Sequence, residues 1–100
     1  MQITLLYFDG CPHWEIADRR LAQLATERPD VHVTRQRVES ADEAERIAFH
    51  GSPSILVDGV DAFSAPGAPV GLTCRLYTTP EGPAGAPTLD QLRALVDERA

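Results

Sequence analysis

The sequence predicts an α/β chain with a four-stranded mixed sheet, in the order β-α-β-α-β-β-α, and helices on both faces. Three observations predict it. Short β-branched and apolar runs alternate with segments of helical period through the first half of the chain. Two capping boxes, Ser40-x-x-Glu43 and Thr88-x-x-Gln91, mark helix starts. A strand-helix-strand opening implies a parallel pair with a right-handed crossover, whereas the last two strands lack a helix between them and are most simply antiparallel.

Residues 3–8 form a continuous apolar run that ends at Asp9-Gly10, the pattern of a buried strand. Pro12 suits the first position of a helix. Trp14, Ala17, Leu21, Leu24 and Ala25 then step at helical spacing, and Pro29-Asp30 stops the helix. Residues 31–38 form the second strand. The Ser40 box opens a second helix with Ala41, Ala44, Ile47 and Ala48 on its apolar side and Gly51 at its end. Residues 54–57 form a third strand, closed by Asp58-Gly59. The Ala-, Pro- and Gly-rich residues 60–71 predict a loop, residues 73–78 a fourth strand, and residues 80–87 a second loop. Thr88 caps the last helix, whose stripe is Leu89, Leu92, Leu95 and Val96.

One hundred residues suit a single domain, 1–100. The formal net charge of -6 disfavours nucleic acid or an anionic membrane as partner, because phosphate binding wants a basic face. No apolar run approaches the roughly 20 residues that span a bilayer. The first residues lack the basic flank of a secretory signal. The expected compartment is the cytoplasm, where disulfides are transient or catalytic. Two cysteines are too few for a disulfide scaffold or a four-cysteine zinc site.

Cys11 carries the chemistry. Beside a helix N-terminus its thiolate meets unpaired backbone N–H groups and the positive end of the helix dipole, and His13 adds a donor or a charge. Both lower the thiol pKa, into a range of roughly 3.5–7.5 at comparable sites. The alternative is a buried, inert cysteine filling space; the strand end and Pro12 argue instead for a position on a rim. Cys74 is either a small core residue on an edge strand or the thiol that resolves Cys11. If Asp58 pairs with Cys74 across a wide hairpin, Cys74 lies ~13 Å from the Pro53 end of the sheet, too far for a disulfide, which needs Cα atoms within ~7 Å. If the pairing slides, or Cys74 belongs to the loop, the sulfurs meet. Both placements fit the sequence. Arg75 and Tyr77 alternate with Cys74 and are expected to face solvent or the long loop. Phe63, Val70 and Leu72 suggest that residues 60–72 fold across the Cys11 rim near Trp14 and Pro53.

The element order, Gly10-Cys11-Pro12-His13-Trp14 and Ser52-Pro53-Ser54 together resemble the thioredoxin and glutaredoxin superfamily, over nearly the whole chain. The resemblance implies a thioredoxin-like fold and a cis-proline at Pro53 facing Cys11. It also implies that the backbone of Ser52 is presented to an extended thiol substrate. Cys11-Pro12-His13 is similar to the C-P-H-C centre of the family's disulfide oxidases, but Trp14 stands where that centre has its second cysteine. The family implies thiol-disulfide oxidoreductase chemistry with Cys11, Cys74 and His13 as catalytic candidates and Pro12, Trp14, Ser52 and Pro53 as the substrate surface. The expected partner is a small-molecule or protein thiol or disulfide; no metal, nucleotide or other cofactor is implied. Two alternatives accompany this reading. Chains with this C-P-H-W and G-L-x-C-R pattern look like ones labelled alkylmercury lyase, in which Cys11 and Cys74 would hold mercury and Asp9 would protonate carbon. The other is a non-catalytic thioredoxin-fold binding module.

Overall fold

The computed structural model describes residues 1–63 and 68–99. It is a mixed α/β structure with a four-stranded mixed sheet and three helices. Strand β1 (Gln2–Tyr7) pairs in parallel with β2 (His32–Arg37) and antiparallel with β3 (Ser54–Val57). Helix α1 (Trp14–Glu27) makes the crossover from β1 to β2. Helix α2 (Ala41–Arg46) leads to β3, and α3 (Leu89–Arg99) ends the chain.

The sheet separates two apolar clusters because successive residues of a strand face opposite sides. Ile3, Leu5, Ile55 and Val57 face α1 and α3, where Ala17, Leu21, Leu24, Leu92 and Val96 meet them. Leu6 faces the other way, onto Val38, Ala44 of α2 and Phe49, with Leu56 packed alongside. Helix α3 is fastened at its start by a complete capping box. Gln91 N–H donates to Thr88 Oγ1 at 3.0 Å and Thr88 N–H to Gln91 Oε1 at 2.8 Å. On its outer face Arg93 hydrogen-bonds Glu27 of α1 and thereby holds that carboxyl down at about 2.

The fourth strand is not where the sequence predicts it. Strand β4 is Val60–Asp61, antiparallel to β3 and joined to it by Asp58-Gly59 alone. Both turn residues have positive φ, 49° and 86°, as a two-residue hairpin of the primed type requires. Asp58-Gly59 is therefore the bend of a hairpin and not the end of a strand. The expected strand over 73–78 is divided. Cys74 makes one isolated parallel bridge to Ser52. Beyond it, β5 (Tyr77–Thr79), which overlaps the end of the expected strand, pairs with β6 (Gly82–Ala84), which lies in the stretch predicted as the second loop, and the two form a separate sheet.

Helix α2 also ends earlier than Gly51. Its last turn closes as a Schellman motif, with Ala48 N–H donating to Glu45 O at 3.2 Å and Phe49 N–H to Ala44 O at 2.8 Å. Ala48 holds the left-handed position of that motif at φ 55°, and the apolar contact that goes with it joins Phe49 to Ala44 in the second cluster. Ala48 is exposed, so removing its Cβ opens no cavity. Ala48→Gly is expected to raise stability by about 0.5–1 kcal/mol, since glycine occupies this conformation without the side-chain clash. A shift of the urea midpoint to higher concentration at unchanged m-value checks it.

Candidate functional site

The end of β1 delivers Cys11 through a tight turn. Cys11 N–H donates to Phe8 O at 3.4 Å, and a side chain at Gly10 would overlap the Phe8 ring. The chain then winds into α1 through two short-range bonds, Glu15 N–H to Pro12 O and Ile16 N–H to His13 O, both 3.2 Å. Cys11 thus stands three residues ahead of Trp14, the first helical residue, instead of at the helix start. His13 occupies the N-cap without a side-chain cap bond. Its imidazole lies against Gly85, where any Cβ would collide with the ring. Trp14 stacks on Tyr7 with ring centroids 4.2 Å apart, so it packs helix to strand. Asp9 Oδ2 accepts from Arg37 at 3.0 Å, and Arg37 also donates to Glu39 at 2.6 Å.

Cys11 and Cys74 are joined by a disulfide, with Cα atoms 5.6 Å apart. The wide-hairpin placement with its ~13 Å separation is overturned. Its premise fails because Asp58 turns the chain directly into β4, which frees the later segment to return to the other end of β3. There it crosses Ser52. Ser52 N–H donates to Thr73 O at 2.7 Å and Arg75 N–H donates to Ser52 O at 3.0 Å. The Ser52–Pro53 bond is cis, as the resemblance implies. Ser52 and Pro53 are both buried, however, and the Ser52 backbone is occupied by the chain's own residues 73–75 instead of standing open to a substrate. Nor does Cys11 lie on a rim. Its exposure is 0%, whereas Cys74 is exposed. A hollow of about 280 Å³ beside Cys74 is lined by His50, Phe63, Pro69, Thr73 and Leu76 among others.

Sequence reasoning missed the residues that fix this arrangement. Of the two destinations expected for Arg75 and Tyr77, solvent or the long loop, the structure shows the second: both meet residues of 60–63. The Arg75 guanidinium forks onto Asp61 at 2.8 and 3.3 Å and also donates to Ser54 Oγ at 3.1 Å and to Phe63 O at 2.7 Å. The Arg75 and Asp61 side chains are only 10% and 12% exposed. The guanidinium lies 4.9 Å from the centre of the Tyr77 ring, which in turn meets Phe63 edge-on. The Tyr77 hydroxyl donates to Pro53 O. Burial pushes the Tyr77 phenol well above its usual range, against the opposing charge of Arg75. No signal in the sequence marks Asp61 as the partner of Arg75; the Asp-Gly turn, taken as a hairpin, places it opposite Leu56 on a strand beside β3.

Of the apolar residues expected to cover the site, Phe63 packs on the larger cluster and Leu72 on the Phe49 cluster, while Val70 is exposed. Residues 64–67 of that stretch lie outside the described residues. Among the described residues no three His, Cys, Asp or Glu side chains are grouped to hold a metal ion, and no helix is long and apolar enough to cross a membrane. No protein-family model matches the chain, and no curated protein and no solved structure matches it.

Proposed function

We propose that this chain is a thioredoxin-like thiol-disulfide exchange protein whose working centre is the Cys11–Cys74 pair. The observation that carries the reading is the asymmetry of the bond: one sulfur-bearing residue is fully buried before α1 and the other is exposed beside a hollow. The element order and the cis bond at Pro53, next to the bridge that holds Cys74, support the thioredoxin-like assignment.

The chemistry follows from which sulfur can be reached. An incoming thiolate attacks Cys74, its sulfur bonds to that of Cys74, and the Cys11–Cys74 bond breaks with its electron pair leaving on Cys11. The departing thiolate lies ahead of the α1 N-terminus, whose partial positive charge favours it. A second thiolate attacks the external sulfur of the mixed disulfide, which releases Cys74 to take a proton from water. The sum is one protein disulfide and two thiols giving a protein dithiol and one external disulfide; the reverse sequence oxidises a dithiol. This reverses the roles expected from the sequence, because Cys74 meets the external thiol and Cys11 is the internal one. The mercury reading finds less support, since Asp9, its proton donor, is engaged by Arg37.

Single-cysteine variants test the proposal. With glutathione disulfide, Cys11→Ser is expected to form a mixed disulfide at Cys74 at least about tenfold faster than Cys74→Ser forms one at Cys11, since reaching a buried thiol requires a local opening, and a tenfold delay corresponds to about 1.4 kcal/mol. Glutathione-dependent turnover of a small disulfide should vanish in both. Turnover by the native protein that persists in both variants sinks the reading, and a folded native protein with no turnover favours a binding module.

A further inference from the structure

We infer that Arg75 is a positioning residue that holds Cys74 over Cys11 whether or not the two are bonded, and so sets the reduction potential of the pair. The inference rests on the exchange reading for its use, but it concerns an equilibrium and needs no turnover.

The disulfide alone does not keep residues 73–75 in place. Three independent anchors surround Cys74. On the backbone, both hydrogen-bonding groups of Ser52 are taken by Thr73 and Arg75. On the side-chain level, Arg75 reaches β4 through Asp61, β3 through Ser54 Oγ, and the chain after β4 through Phe63 O. Two residues on, the Tyr77 hydroxyl donates to Pro53 O. The fit also demands a residue without a side chain beneath it. A Cβ on Gly51, which has φ 113°, would stand 3.0 Å from Thr73 Oγ1 and 3.1 Å from Arg75 Cβ.

None of these contacts involves sulfur, so breaking the Cys11–Cys74 bond leaves them standing. The Arg75–Asp61 pair resists loosening in particular. Its groups are nearly dry, and freeing either leaves the other charged and unmatched in a poorly solvated place. A bidentate fork also fixes direction as well as distance. The reduced Cys74 therefore stays beside Cys11 at a high effective concentration instead of searching the volume open to a loose segment. A high effective concentration of one thiol at the other is, by definition, a strong tendency to close the disulfide.

Equilibration with glutathione measures this directly. One glutathione disulfide accepts two electrons from the Cys11/Cys74 dithiol. Its S–S bond breaks, the protein bond forms, and the two thiol protons end on two glutathiones. The equilibrium constant is read by quenching with acid, separating the protein from glutathione and counting the free thiols left on the protein. Asp61→Asn keeps the shape and removes the charge; it is expected to lower the constant at least about tenfold, which is a rise of about 30 mV in potential. Arg75→Lys keeps the charge but loses the fork, and is expected to fall between that variant and the native protein. Tyr77→Phe removes only the bond to Pro53 O and should lower the constant less. Arg93→Gln weakens the remote tie between α1 and α3 and should leave the constant unchanged, which separates positioning from general destabilisation. If Asp61→Asn does not fold, the other two site variants decide. Constants for Arg75→Lys and Tyr77→Phe indistinguishable from the native value overturn the inference. Because exchange activity is scored separately, a native protein without turnover rejects the proposed function and leaves this measurement intact.

Discussion

Reducing the Cys11–Cys74 bond is expected to lower the free energy of unfolding by about 4 kcal/mol, the chain-entropy value for a cross-link across 63 residues. For a chain of this size that is a fall in Tm of roughly 15–30 °C. The loss arises in the unfolded state. An open chain of that loop length has far more conformations than a closed one, while the folded protein keeps its anchors at Ser52, Asp61 and Pro53. Urea unfolding with and without a reductant checks it. The reduced protein should show a lower midpoint and a steeper slope, because its unfolded ensemble expands further and exposes more surface. Coincident curves would mean that the folded state gives back, on bond formation, what the unfolded state loses. The thermodynamic cycle ties this number to the potential: the stability lost on reduction equals RT times the logarithm of the ratio of the effective thiol concentrations in the folded and unfolded chains.

Phe49→Ala is expected to cost about 3–5 kcal/mol, the range for truncating a large aromatic side chain in a closed core. Phe49 is fully buried and is the largest member of the smaller cluster, where Leu6, Val38 and Ala44 meet it and Phe8, Ile47, Leu56 and Leu72 pack around. It serves three structures together. Its ring fills the space under the sheet, its N–H closes α2, and its carbonyl accepts from Gly71 at 3.0 Å where the chain approaches Cys74. The backbone bonds survive the substitution, so the loss belongs to the cavity and the removed apolar surface. Phe49→Leu should lose visibly less. Equal denaturant midpoints for the two variants would show that the cluster collapses around whatever side chain is present.

Much of the sheet was legible because its signals are local. The apolar run of β1, the helical stripe of α1 and the two capping boxes each specify an element without reference to distant residues. The misses share a cause, which is that a weak local signal was decided by a contact far along the chain. Asp58-Gly59 marks both a strand end and a hairpin bend. Only the pairing of Val60 and Asp61 with β3 makes it the latter, and two residues are too few to show a period. Strand β6 carries Gly82 and Pro83, residues that disfavour a strand in isolation. Helix α2 stops at an alanine in a conformation that glycine usually takes, because Phe49 is drawn into the cluster beneath. At the candidate site the cis bond at Pro53 is what the family resemblance implies, and the structure has it. The union of Cys11 with Cys74 depends on the hairpin at Asp58-Gly59, which no local signal separates from a strand end. Alternation with Cys74 directs Arg75 and Tyr77 to solvent or the long loop, and Asp61 and Phe63 of that loop receive them; no local signal marks these contacts as buried.

The same sheet has two borders, and each is ill suited to extension by a neighbouring molecule. Along β2 the border residues His32, Thr34, Arg35, Gln36 and Arg37 are exposed, polar and in part charged. On the opposite side β4 runs for only two residues. Charge on one border and brevity on the other are the devices by which sheet proteins avoid edge-to-edge polymerisation. The unpaired backbone along both borders is thereby kept from recruiting other copies of the chain.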